Sequence, residues 1–148
     1  MVSRCGEGSA FTVIKEIIVD AEIKNVGKVE NFTGDFLNEV ARDKINPSRA
    51  YVVIDEIFSN IAYYAYPNGK GEVTVRLEWE DETSLFTITF IDKGVQFDPI
   101  KKMDPDITLS AEERKIGGLG IFIVKRIAKF VKYEYKDEKN ILSVTLDR

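Results

Sequence analysis

The stretch Lys115–Phe130, KIGGLGIFIVKRIAKF, sets three glycines (Gly117, Gly118 and Gly120) where a helix should begin. Inside a helix each glycine costs about 1 kcal/mol relative to alanine. Directly after them the pattern is helical. Ile121, Val124, Ala128 and Val131 form one stripe, widened by Ile123, Ile127 and Phe130, with Lys125, Arg126 and Lys129 opposite. A helix start carries unpaired backbone N–H groups and partial positive charge. Glycines there let phosphate oxygens reach those groups with no Cβ in the way. The competing explanation is a tight packing corner, for which one glycine would be enough.

Just upstream, residues 93–116 are charged, carry two of the four prolines and show only weak periodicity. A loop that long inside a compact domain is usually functional. It follows two strand patterns. In VTVRLEWE (73–80), Val73, Val75, Leu77 and Trp79 alternate with polar residues; LFTITFID (85–92) does the same with Phe86, Ile88 and Phe90. With EDETS between them they read as an antiparallel hairpin. Asp92 then ends a core-facing row, where a carboxylate is costly to bury unless something hydrogen-bonds it. The exocyclic amine of a base is a suitable donor. Gly94 permits a turn or a close backbone approach. An Asp-Lys-Gly turn with the acid in solvent is the plainer alternative.

Further upstream, FTVIKEIIVD (11–20) has strand composition, and Asn25–Ile45 keeps helical spacing through Val29, Phe32, Phe36 and Val40. INPS then stops and restarts the chain, with Asn46 as N-cap and Pro47 in the first turn. The second helix should run from about Ser48 to Ala65, with Ile54, Phe58, Ile61 and Ala65 in one stripe. Glu56 and Asn60 lie one turn apart on another. An acid and an amide so spaced can act together, the amide oxygen on a divalent cation and the carboxylate on a nucleophile. The same pair also suits a solvated helix face. Downstream of the glycine-led helix, YEYK and ILSVTL form a closing hairpin around DEKN.

The predicted order is β-α-α-β-β-loop-α-β-β. It describes an α/β (α+β) two-layer sandwich: a mixed, mostly antiparallel sheet with three helices on one face. One domain spans 11–148 after a flexible tail at 1–10. The formal charge of −4 argues against a nucleic-acid or anionic-membrane partner. The lone Cys5 allows no internal disulfide, and no apolar run reads as a signal or a membrane span, so the expected location is cytoplasmic. The chain contains no histidine. That removes serine- or cysteine-histidine catalysis, histidine-bound zinc and phosphohistidine. A carboxylate base with a hard cation and a phosphate substrate needs only oxygen ligands, and survives.

In this order, DEIFSN, DKGVQF and GGLGIFIV resemble the nucleotide boxes of the gyrase–chaperone–histidine-kinase–mismatch-repair ATPase superfamily. Within it the chain looks like the stand-alone serine kinases that act as anti-sigma factors, and the resemblance covers nearly the whole chain. It implies the Bergerat fold, ATP and magnesium. Glu56 would activate the attacking hydroxyl or water, Asn60 would hold the magnesium, and Asp92 would recognise adenine. Gly94 stands for the first glycine box. Gly118 and Gly120, with Gly117 before them and Leu119 between them, match the second. Residues 93–116 would be the ATP lid, with Arg114 or Lys115 as its basic residue near the γ-phosphate.

Ile61 replaces the small residue usual after the box asparagine. Tyr64 stands where many relatives carry histidine, against the nucleotide. The implied partners are ATP or ADP, an anti-anti-sigma (STAS-type) phosphoacceptor, a sigma factor and a second copy of the chain. The implied reaction is γ-phosphoryl transfer to serine or threonine. The other class of function the sequence admits is a binding module, ATP-gated or nucleotide-free, with little chemistry.

Overall fold

The computed structural model describes residues 2–4, 11–101 and 118–148. In chain order the elements are β1 (Val2–Arg4), β2 (Phe11–Asp20), α1 (Val26–Val40) after a short 3-10 turn, and α2 (Pro47–Tyr64). Then come β3 (Glu72–Glu80), β4 (Leu85–Asp92), α3 (Gly118–Ile127), β5 (Phe130–Lys136) and β6 (Lys139–Leu146). The six strands lie in the order β1-β2-β3-β4-β6-β5. Each neighbouring pair is antiparallel, so the expected mixture of directions is absent among the described residues. The two-layer sandwich itself is as expected.

Strict alternation decides which face the helices cover. Val73, Val75, Leu77 and Trp79 on β3, with Phe86, Ile88 and Phe90 on β4, are all buried. Their cross-strand register continues the row to Leu142, Val144 and Leu146 on β6. Phe36 and Leu37 of α1, Val53, Ile54, Ile57 and Phe58 of α2, and Ile121 and Val124 of α3 close the core from the other side. Burying one such side chain stabilises the fold by roughly 1.5–3 kcal/mol.

The N-terminus of α2 forms as its sequence requires. The Asn46 side-chain oxygen accepts a hydrogen bond from the Ser48 N–H at 2.9 Å, and Pro47 opens the helix.

Four expectations are corrected. The first helix stops at Val40 instead of Ile45: the backbone leaves helical geometry at Ala41 (φ −138°), and Asp43 beyond it takes a left-handed conformation (φ 64°) that aspartate tolerates and a helix does not. The helical stripe through Phe130 and Val131 ends at Ile127. Lys129 already donates its N–H to the Thr145 carbonyl (2.8 Å), and Val131 pairs across the sheet with Val144. The closing turn contains only Asp137 and Glu138, both at positive φ, which is the two-residue hairpin geometry. Lys139 and Asn140 therefore belong to β6. Within the N-terminal segment assigned to a flexible tail, Val2–Arg4 pair with Phe11–Val13 as an edge strand.

Glu30 on α1 shares a hydrogen bond with Asp55 on α2. Burial, that bond and the neighbouring charge, in this order, raise its carboxyl to about 7. The folded value lies above the ordinary one, so this stabilising contribution is complete below about pH 4.5 and lost as pH rises through about 7. Asp55→Asn should leave the melting temperature near that of the parent at pH 5. At pH 8 it should raise it by roughly 2–4 °C, a modest figure because the pair is partly solvated. Equal shifts at both values, in thermal melts, would remove the shared-proton interpretation.

Candidate functional site

Asp92 ends β4 in the core-facing row and is only 6% exposed. One carboxylate oxygen, Oδ1, accepts the Gly94 N–H (2.9 Å) and the side-chain N–H of Asn140 (2.9 Å), its cross-strand partner on β6. Burial pushes the carboxyl above its usual range, and the two hydrogen bonds pull it part of the way back. No other hydrogen bond from the described residues reaches this carboxylate, and neither of its oxygens is sealed away unpartnered. It borders a cavity of about 450 Å³.

That volume lies within the roughly 300–1,000 Å³ of small-molecule pockets. The walls are mostly apolar: Ile57 and Ile61 from α2, Phe90 from β4, Ile121 from α3, Leu142 from β6. Asn60 and Tyr64 enter from α2, and Val95, Phe97 and Pro99 from the chain leaving β4. Such a site takes a flat, largely apolar ring and offers it a carboxylate acceptor.

Gly94 is held against the end of α2. The Val95 N–H bonds to the Ala65 carbonyl at 2.8 Å, and a Cβ on Gly94 would run into the Ala65 backbone. Close approach, and no special turn conformation, accounts for this glycine. Tyr66 fixes the neighbouring residue: its hydroxyl accepts the Lys93 N–H at 2.9 Å and donates to the Glu72 carbonyl at 2.6 Å.

Glu56 sits one turn before Asn60 on α2, and its carboxylate lies against Gly120 in the first turn of α3. A Cβ on Gly120 would overlap that carboxylate. One glycine of the three thus leaves the Glu56 carboxylate its place beside α3, from which a side chain would displace it. In an ordinary helix Gly→Ala gains about 1 kcal/mol. Here the added Cβ meets the flexible end of the Glu56 side chain, which has to swing aside, so Gly120→Ala should gain clearly less than that in denaturant unfolding. A gain of the full helix increment would show that the helices are not in this contact.

The structure therefore brings Asn60, Tyr64 and Asp92 to one cavity, with Gly94 behind Asp92. Glu56 lies at the start of α3, whose first three residues are Gly118, Leu119 and Gly120. Gly117, Arg114, Lys115 and the lid after Lys101 fall outside the described residues. Sequence reasoning missed Asn140, Tyr133 and Phe97. The signal for Asn140 was present: it extends the buried row Leu142–Val144–Leu146 with a polar residue, as Asp92 extends the row of β4. Assigning Asn140 to the turn hid it.

The model of the histidine kinase-like ATPase domain family matches residues 19–146. This chain belongs to that family. Within the gyrase–chaperone–histidine-kinase–mismatch-repair superfamily, such ATPase domains bind ATP, usually with magnesium. One similar solved structure is the histidine kinase domain from Erythrobacter litoralis EL346 blue-light activated histidine kinase, at 12% identity and a TM-score of 0.49. The alignment covers 84% of this ATPase-family chain and 59% of the histidine kinase chain. Comparison with curated proteins finds no match. No helix among the described residues of the domain is long and apolar enough to cross a membrane.

Proposed function

We propose that this histidine kinase-like ATPase domain is an anti-sigma regulatory factor that binds MgATP in the Asp92 cavity. It transfers the γ-phosphoryl group to a serine or threonine of a STAS-type anti-anti-sigma protein. The observation that carries the reading is a buried carboxylate facing an apolar hollow whose wall is the Glu56–Asn60 helix. Asp92 accepts a hydrogen bond from the exocyclic amine of adenine, while Ile61, Phe90 and Leu142 pack on the ring. Tyr64, half exposed at the rim, lies where the ribose leaves the cavity. The N–H groups at the start of α3, which a helix leaves without a partner of its own, receive phosphate oxygens, with Gly117, Gly118, Leu119 and Gly120 supplying backbone and Lys115 a cation.

The donor set fits magnesium. No cage of acidic, cysteine or histidine side chains exists among the described residues, and this ion takes most of its oxygens from phosphate and water. Asn60 would supply the protein oxygen. Magnesium, when bound, neutralises charge on the phosphates. Glu56 takes the proton of the attacking hydroxyl as the new O–P bond forms and the bond to the ADP oxygen breaks. The proton then passes to solvent.

A sigma factor as second partner and a homodimer belong to the same proposal, as does action in the cytoplasm. The test is capture of partners from the native cell with and without ATP, followed by phosphosite mapping. ATP-dependent phosphoserine or phosphothreonine on a captured STAS-type protein is the expected result. ATP-dependent capture without any phosphosite would replace the kinase with an ATP-gated binding module.

A further inference from the structure

Asn140 is 7% exposed and joins five groups. Its Nδ2 donates to Asp92 Oδ1 (2.9 Å), to the Val95 carbonyl (3.0 Å) and, more weakly, to the Gly94 carbonyl (3.4 Å). Its Oδ1 accepts the Phe97 N–H (3.1 Å) and the Tyr133 hydroxyl (2.6 Å). A backbone N–H can only donate, and carbonyls can only accept. Turning the amide over would face donor with donor and acceptor with acceptor, so one orientation is allowed. Tyr133 reaches this point from β5, where it pairs with Leu142. A phenol keeps its proton at neutral pH, and burial pushes this one further up, so Tyr133 is the donor.

The consequence falls on Asp92. With Oδ1 occupied by two N–H donors, the carboxylate is pinned, and its other oxygen is left as a pure acceptor toward a ligand. We infer that Asn140, locked by Tyr133, is a positioning residue that aims Asp92 and holds residues 94–97 beside it. This lock, beyond the presence of Asp92 itself, sets how strongly the cavity prefers a 6-amino to a 6-oxo purine. The inference rests on the MgATP reading above. A 6-oxo group would bring lone pairs against the carboxylate, whereas a 6-amino group donates to it. If Asp92 could rotate, water or the second oxygen would blur that difference. Locking the acid is what turns one hydrogen bond into selectivity.

Calorimetric titration of the full chain with ATP and with inosine 5′-triphosphate tests this. Tyr133→Phe should keep the parent's melting temperature within a few degrees and lose about 3- to 10-fold in ATP affinity, the scale of one lost hydrogen bond. Inosine triphosphate binding should hardly move, so the preference for ATP shrinks. Asn140→Ala should shrink it further; should that variant not fold, Tyr133→Phe decides alone. In an Asp92→Asn background, Tyr133→Phe should have no further effect, because it acts through Asp92. An unchanged preference in folded Tyr133→Phe, or losses that add in the double variant, overturns the inference. Asp92-dependent ATP binding by the parent would then leave the site reading standing. A parent that takes up neither nucleotide overturns both.

Discussion

Glu56→Gln should bind MgATP as tightly as the parent and lose phosphoryl transfer by about 10²–10⁴-fold, the range of general acid–base catalysis. Glutamine has the shape of glutamate, so the contact with the first turn of α3 survives. Only the capacity to take a proton is removed. Alanine is the less clean probe, since it also opens a hole beside Gly120. Single-turnover transfer from γ-labelled ATP, alongside calorimetric affinity, separates the two effects. A transfer rate equal to the parent's would exclude Glu56 as the base. A parallel loss of affinity would show that the residue supports the helix contact more than the chemistry.

Asp92→Asn should lower ATP affinity by about 100-fold or more, since a hydrogen bond to a charged group is worth about 1.5–3 kcal/mol and an opposed donor adds to the loss. The asparagine oxygen can still accept from Gly94 and Asn140, so the packing persists. Its NH₂ then faces the cavity, donor against donor. Stability should move the other way. The folded Asp92 carboxyl sits above its ordinary value because burial disfavours the charge. Its contribution is therefore most favourable below the ordinary carboxylate range and declines as pH rises through the folded value. Asparagine does not titrate, so the variant's advantage in melting temperature should grow with pH. Unchanged ATP affinity would remove the adenine role of Asp92, and a variant that melts earlier at neutral pH would contradict the cost of its burial.

Much of this was legible in the chain because alternation is local. Phe86, Ile88, Phe90 and Asp92 share a face through strand geometry alone, and the burial of Asp92 follows from its place in that row. The Asn46–Pro47 helix start is equally local. Periodicity misled at Val131, which fits a helical stripe and a strand row alike; its partner Val144 decided between them. The end of α1 lies in a backbone turn from Ala41 to Asp43 that carries no mark in hydropathy.

The sequence by itself determined the order of elements from Phe11 onward and the core-facing rows, since spacing along a strand or a helix dictates which side chains share a face. Tertiary structure alone decided that Gly94 must clear the Ala65 backbone, that Gly120 lies against the Glu56 carboxylate, and that Asn140 donates a hydrogen bond to Asp92. Those pairs lie far apart along the chain, and only strand pairing and helix docking set the distance between them.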